Sequence, residues 1–331
     1  MFRISGGKAP KRELGLGHIF RCLSLAEQLK FNQLFFALED FGGAQKIIRK
    51  EGHQNIFKLG KDIGVAADIR TTSRIIHKEK VDILIVDKYN VSQKYLKELI
   101  KHVKVVLVSD LKNIDFPADL VINGFIGFEN KIVKNRFGTK CLLGPAYQIL
   151  SNNFLKKTPK MRNFDLLATF GGFDENNIIE TLLKELLHFR GKIRTKIILG
   201  PATKKTSKIR SFEKKLGNSI KIIQHTDNMF KEMADSKNGL CAGGITTYEF
   251  AALKIPFVII CQVKHQLKTA EEWNKRKLAN NLGLFNKNTG KKINDFLYLV
   301  AEEKIVYKMK KKSPVDGFGT NRVVKEIMKI R

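Results

Sequence analysis

The chain has 331 residues, 43% hydrophobic and 28% charged, the balance of a globular protein with interior enough for two ordinary domains. No apolar stretch reaches the roughly 18 residues needed to cross a bilayer, which argues against stable membrane insertion. Four dispersed cysteines, Cys22, Cys141, Cys241 and Cys261, lack C-x-x-C spacing and read as reduced thiols.

The first apolar run, Phe2–Ser5, predicts a strand. Lys8, Lys11 and Arg12 stand where a secretion signal would need apolar residues, so a cytoplasmic protein is expected. Further strands are predicted over Leu34–Leu38, Ile56–Leu59, Ile83–Asp87, Val105–Ser109, Leu120–Ile122 and Cys141–Leu143. Helical spacing fills Ile19–Lys30, Ala44–Glu51, Ala66–Lys78 and Gln93–His102. Uninterrupted apolar strands such as Ile83-Leu84-Ile85-Val86 suit a sheet covered on both faces. Strands alternating with helices predict a doubly wound parallel α/β sheet.

A polar segment over Tyr147–Lys160 interrupts the alternation, and a second cycle begins with a strand over Asp165–Phe170. A helix from Glu175 to His188 follows, then strands over Lys196–Leu199, Ile220–Ile223, Gly239–Cys241 and Phe257–Cys261. The expected division is residues 1–150, residues 151–305 and a tail over 306–331. Ligand is expected at the strand C-termini.

Gly15-Leu16-Gly17-His18 joins a strand end to a helix start, where backbone N–H groups and the helix dipole favour an anion. His18 there can move a proton near neutral pH. In the second half, Gly243-Gly244 follows a strand and precedes a helix. Thr246 or Thr247 is placed to cap that helix, with Glu249 in its first turns. Backbone N–H groups there suit a pyrophosphate, and a carboxylate one turn on can accept both hydroxyls of a ribose. The pattern also fits a plain capped strand–helix turn. Phe170-Gly171-Gly172-Phe173-Asp174 is another glycine turn before a helix, able to close over a nucleotide or to serve as a connector. Asp87-Lys88-Tyr89 and Ser109-Asp110 stand at strand ends on the N-terminal rim, and Lys264-His265-Gln266 follows the last named strand of the second half.

Phe20 occupies the place where a dinucleotide fingerprint requires its third glycine, which disfavours a nicotinamide cofactor. The seven histidines show no paired ligand spacing, so no metal is expected. A net charge of +29 comes from 61 Lys and Arg against 32 Asp and Glu. The clusters Lys204-Lys205, Lys214-Lys215 and Lys310-Lys311-Lys312 lack interleaved aromatics, so no nucleic-acid partner is expected. A positive field also suits a phosphate-bearing substrate.

Gly15-x-Gly17-His18-x-x-Arg21-Cys22-Leu23-x-Leu25-Ala26 resembles the opening motif of the UDP-sugar hydrolases of pseudaminic acid biosynthesis, a group that includes spore-coat polysaccharide proteins. The resemblance continues in Val86-Asp87-Lys88-Tyr89, Leu143-Gly144-Pro145-Ala146-Tyr147, Phe170-Gly171-Gly172-Phe173-Asp174 and Ala242-Gly243-Gly244-x-Thr246-x-x-Glu249. It closes through Gln266 and Val315-Asp316-Gly317-Phe318-Gly319-x-x-Arg322-Val323-Val324. It implies a GT-B architecture, two Rossmann-like domains facing across a cleft, similar to the peptidoglycan transferase that uses UDP-N-acetylglucosamine. The segment Asp316–Val324 would pack back across the domain junction.

By that likeness the substrate is a UDP-linked diacetamido-trideoxy sugar, hydrolysed to sugar and UDP by a cytoplasmic enzyme without cofactor, with a monomer as the expected state. His18 would be catalytic. Gly17, Arg21, Asp87, Tyr89, Asp110, Tyr147, Gly171, Gly172, Gly243, Gly244, Thr246, Glu249 and Gln266 would contact substrate. A glycosyltransferase using the same residues is the alternative, and a non-catalytic nucleotide-sugar binder a third. Lys88 stands where the group usually has histidine, and Ser109-Asp110 offers one acid where it carries a pair. Both positions are expected beside the sugar.

Overall fold

Strands of the first half such as Ile83–Asp87 and Lys104–Val108 are largely buried, as a parallel sheet covered on both faces by its crossover helices requires. In a computed structural model, which describes residues 1–7, 16–30, 32–110, 112–159, 161–304 and 313–330, the elements are as follows. The first half holds β1 (Phe2–Gly6), α1 (Gly17–Gln28), β2 (Phe36–Asp40), α2 (Ala44–Lys50), β3 (Ile56–Leu59), α3 (Val65–Lys78), β4 (Ile83–Asp87), α4 (Gln93–Leu99), β5 (Lys104–Val108), β6 (Leu120–Asn123), β7 (Lys131–Lys134) and β8 (Lys140–Leu143). The second holds β9 (Phe164–Thr169), α5 (Ile178–His188), β10 (Thr195–Ile198), α6 (Ser207–Leu216), β11 (Ile220–Ile223), α7 (Met229–Ala234), β12 (Ser236–Cys241), α8 (Thr246–Ala252), β13 (Phe257–Cys261), α9 (Lys264–Lys275), β14 (Asn280–Leu284) and α10 (Thr289–Ala301). Helix α11 (Gly319–Ile327) ends the chain.

Two units result, Met1–Asn152 with Gly317–Arg331, and Asn153–Asp316. The first contains a sheet in the order β3-β2-β1-β4-β5-β6-β8-β7, parallel except that β7 runs antiparallel to β8. Alternate residues of β4 serve opposite cores. Ile85 packs with Ile19, Cys22, Leu25 and Ala26 of α1, whereas Leu84 and Val86 pack with Ile75 and Ile76 of α3. Each such buried aliphatic contributes about 1.5–3 kcal/mol by its removal from water. The chain order reverses between β1 and β4, so a crevice position opens where Gly6 and Asp87 end their strands.

Helix α11 belongs to this first unit. Val323 and Ile327 join the α1 core, Glu326 pairs with Lys140, and Thr320 Oγ1 donates to the Leu150 carbonyl at 2.6 Å.

The second unit repeats the plan in the order β11-β10-β9-β12-β13-β14. Its reversal lies between β9 and β12, where Thr169 pairs with Cys241. Both glycine turns of the second half, Gly171-Gly172 and Gly243-Gly244, leave the sheet there. Strands β7 and β14 escape the hydrophobic pattern. Lys131 and Lys134 flank a mere two apolar residues, and Asn280-Asn281 opens the other. Among the described residues, no helix is long and apolar enough to cross a membrane.

Candidate active site

In the first unit, α1 starts at the sheet reversal and carries His18 and Arg21 one turn apart, so both side chains leave one face of the helix. They meet Asp87 at the end of β4. His18 Nδ1 lies 2.5 Å from Asp87 Oδ1. An ionised carboxylate only accepts, so the geometry assigns an imidazole proton to Nδ1; in the neutral ring Nε2 is then the acceptor. The His18 side chain is 24% exposed and that of Asp87 1%.

Arg21 donates from Nε to Asp87 Oδ2 at 2.8 Å and from Nη2 to Asp87 Oδ1 at 2.7 Å. Its outer edge reaches Asp110 Oδ1 at 2.7 Å and Oδ2 at 3.0 Å. The Cys22 thiol donates to Asp87 Oδ2 at 3.7 Å, and burial pushes that thiol well up. Burial would raise the Asp87 carboxyl too, but the Arg21 charge and the His18 contact outweigh it and hold the group well below the usual carboxylate range. Burial opposes the Arg21 charge as well, and Asp110 and Asp87 more than restore it.

Asp87 and Arg21 are buried and matched to protein partners. Asp110 stands at the rim with its side chain 61% exposed, and Tyr89 is 54% exposed. Gly17 opens α1, and a Cβ placed there would meet nothing within 4 Å. Tyr147 is half-buried and packs against the α1 core. Lys88 also meets a protein partner. Its ammonium donates to Asp68 Oδ2 at 2.8 Å, within a buried group that includes Arg3 and Tyr95. Ser109 is buried at the end of β5, its N–H donating to the Ile122 carbonyl. Gly15 and the basic residues Lys8, Lys11 and Arg12 lie outside the described residues, as does Lys310-Lys311-Lys312.

In the second unit, Glu249 is half-buried on α8 and makes no side-chain hydrogen bond or ion pair with another described residue. Burial alone pushes its carboxyl up to about 7. The turn before it behaves differently from the expected cap. Helix α8 begins at Thr246 with no side-chain cap, and Thr246 is buried. Thr247 Oγ1 donates to the Gly244 carbonyl at 2.7 Å and accepts from Trp273 Nε1 at 3.0 Å. Gly243 is required by packing, because a Cβ there would lie 2.9 Å from the Gln266 carbonyl oxygen on α9. A Cβ on Gly244 would meet nothing within 4 Å, so that position is open to an incoming group. Gln266 Oε1 accepts from the Gln262 N–H at 2.8 Å.

Gly171 has φ +77°, a left-handed conformation that glycine adopts without strain, and is exposed at the tip of its turn. Gly172 is half-buried, its carbonyl accepting from the Ala202 N–H. The residue that shapes this turn was not singled out in the sequence. Gln262 Nε2 donates to the Phe170 carbonyl at 2.8 Å and to the Phe173 carbonyl at 3.0 Å, and its Oε1 accepts from the Glu175 N–H at 2.9 Å. Its place directly after the apolar run of β13 was the available sign. Among the described residues, no three His, Cys, Asp or Glu side chains group as a metal site.

No protein-family model matches the chain. The uncharacterized protein MJ1062 of Methanocaldococcus jannaschii is 29% identical over 282 residues, which cover 80% of this chain and 56% of that protein, so the chain spans little more than half its length. The spore coat polysaccharide biosynthesis protein SpsG of Bacillus subtilis is 28% identical over 317 residues, 90% of this chain and 85% of SpsG. The UDP-2,4-diacetamido-2,4,6-trideoxy-beta-L-altropyranose hydrolase of Campylobacter jejuni is 25% identical over 265 residues, 78% of this chain and 91% of the hydrolase. The chain is thus a distant relative of the proteins its motifs resemble. In structure it is similar to MurG of Acinetobacter baumannii, with a TM-score of 0.68 at 15% identity over 99% of both chains. It is also similar to MnaA of S. aureus in a co-structure with UDP, with a TM-score of 0.61 at 16% identity over 98% of this chain and 95% of that one. The fold is therefore α/β of GT-B type, built of two Rossmann-like units.

Proposed function

We propose that the chain is a hydrolase that cleaves the glycosidic C–O bond of a UDP-linked diacetamido-trideoxy sugar, giving the sugar and UDP. The observation that carries this reading is the contact of His18 Nδ1 with a buried Asp87, which turns Nε2 into a proton acceptor at the C-terminal edge of a parallel sheet. The relative named as a hydrolase of such a substrate supports the choice of bond and sugar. Water is the nucleophile. His18 Nε2 takes its proton as the oxygen bonds to the anomeric carbon, and the bond from that carbon to the diphosphate oxygen breaks with its electron pair leaving on UDP. Asp87 keeps the imidazole in the required tautomer and stabilises the imidazolium that forms.

The second unit takes the nucleotide in this reading. Glu249 supplies acceptors for the two ribose hydroxyls, and the glycine turns at Gly171-Gly172 and Gly243-Gly244 supply backbone N–H groups to the diphosphate. Asp110 and Tyr89, both exposed, are the polar groups available to the carbohydrate. The reaction as written requires no cofactor. The test is incubation with UDP-diacetamido sugars in oxygen-18 water without an acceptor. UDP release with label in the sugar supports hydrolysis at carbon, label in the nucleotide places attack at phosphorus, and no release overturns the reading. The second reading, a glycosyltransferase of surface polysaccharide synthesis, is favoured by the likeness to SpsG and predicts UDP release only when an acceptor alcohol is supplied.

A further inference from the structure

Arginine in a glycine-rich motif at a helix start is the residue expected to meet a phosphate. The contacts of Arg21 give it a different task. Its inner edge holds both oxygens of Asp87, its outer edge both oxygens of Asp110, and its side chain is 8% exposed. The two forks occupy four of the five guanidinium N–H groups, and Nη2 also lies 3.3 Å from His18 Nδ1. Asp87 Oδ1 is shared between Arg21 Nη2 and His18 Nδ1. The plane of that carboxylate therefore decides where the imidazole points, and Arg21 fixes the plane by engaging both oxygens.

We propose that Arg21 is a positioning residue for the attacking step: it locks the Asp87 carboxylate so that His18 keeps one tautomer and one tilt, and it makes no contact with substrate. The proposal rests on the reading of His18 as the base. A lysine keeps the charge of arginine but offers a point contact in place of a fork, so it cannot fix both oxygens of Asp87. Misplacing a catalytic group by about 1 Å costs on the order of 10²-fold in rate. Loss of the fork therefore falls on turnover and not on substrate binding.

The test uses the full-length protein carrying Arg21→Lys, Arg21→Met or Arg21→Ala. The proton held between His18 Nδ1 and Asp87 is followed by NMR as a resonance far downfield of the amides, assigned by its loss in His18→Asn. We expect the wild type to show it and the folded Lys and Met variants to lose or broaden it. In UDP release from the sugar nucleotide, kcat falls by about 10²-fold in both with KM little changed. Guanidinium added to Arg21→Ala restores part of the rate through the exposed Asp110 side, whereas sodium at equal ionic strength does not. A raised KM with unchanged kcat, an intact downfield resonance in Arg21→Lys, or its absence from the wild type overturns the proposal. Failure of the hydrolase reading is seen separately, as no UDP release by the wild type at any pH, and the resonance still decides the role of Arg21.

Discussion

Asp87 and Lys88 are consecutive, yet their side chains fasten different helices to the end of β4. Asp87 meets α1 through His18 and Arg21, and Lys88 meets α3 through Asp68. The base proposed here is therefore braced from both faces of the sheet. Asp68 is fully buried and also receives two hydrogen bonds from Arg3, at 2.9 and 2.8 Å. Removing one member of a buried ion pair leaves charge uncompensated, at about 3–5 kcal/mol. Because Arg3 remains, Lys88→Met is expected at the lower end, about 3 kcal/mol, measured as a shift in the denaturant midpoint. A change below about 0.5 kcal/mol, the range of ordinary surface substitutions, would show that Lys88 is not part of the brace.

His18→Asn and Asp87→Asn test the chemical step itself. Asparagine at 18 cannot take a proton, and at 87 it cannot hold the Nδ1 proton as an anion. Both are expected to lower kcat by about 10²–10⁴-fold. Affinity for UDP, assigned to the second unit, should stay within error by calorimetry. Equal loss of UDP affinity in both variants would move the nucleotide to the first unit and sink the assignment.

Glu249 gives the reading a pH dependence. Its carboxyl is raised from 4.5 to about 7, so the folded chain favours the neutral form. That contribution to stability is complete below pH 4.5 and is lost as pH climbs through 7. Ribose hydroxyls donate to the ionised form, so binding of a UDP-sugar should release a proton below pH 7 and tighten as pH rises through that region. The diester phosphates of the sugar nucleotide stay ionised throughout and do not confuse the measurement. Calorimetry in buffers of different ionisation enthalpy reads the proton directly. Glu249→Gln should abolish the release and weaken binding by about 10–100-fold, the loss of a charge-assisted pair of hydrogen bonds. Proton release unchanged in that variant would remove Glu249 from the site.

Most of the sheet was legible because its strands are short, mostly apolar runs, and Ile56–Leu59, Ile83–Asp87, Ile220–Ile223 and Phe257–Cys261 match their strands residue for residue. Strand β7 was not, since only Ile132 and Val133 are apolar between its two lysines. In the site, residue types and spacing drew attention to His18, Arg21 and Asp87 but did not distinguish which of them pair with one another. That distinction depends on side-chain direction: Lys88 turns to Asp68 because α3 places a carboxylate there, some twenty residues earlier in the chain. The packing role of Gly243 likewise follows from how closely α9 approaches it, which no local pattern encodes.

Gln262 presents the last case, a side chain whose whole hydrogen-bonding capacity goes to backbone. Its carboxamide bridges the Phe170 and Phe173 carbonyls and the Glu175 N–H, while its own carbonyl accepts from Asn176 Nδ2 at 2.9 Å. The turn carrying Gly171 thus takes its shape from the end of β13 rather than from its own sequence. Gln262→Leu keeps the bulk and removes all three side-chain bonds. Stranding a buried backbone group costs about 1–3 kcal/mol, and here the cost falls on the turn and not on the sheet. Hydrogen exchange should accelerate over residues 170–176, global unfolding should move less, and UDP affinity should fall by about tenfold, the equivalent of 1.4 kcal/mol. If exchange accelerates in the turn while UDP affinity stays constant, the turn is a connector, and the diphosphate is held by the turn at Gly244 without it.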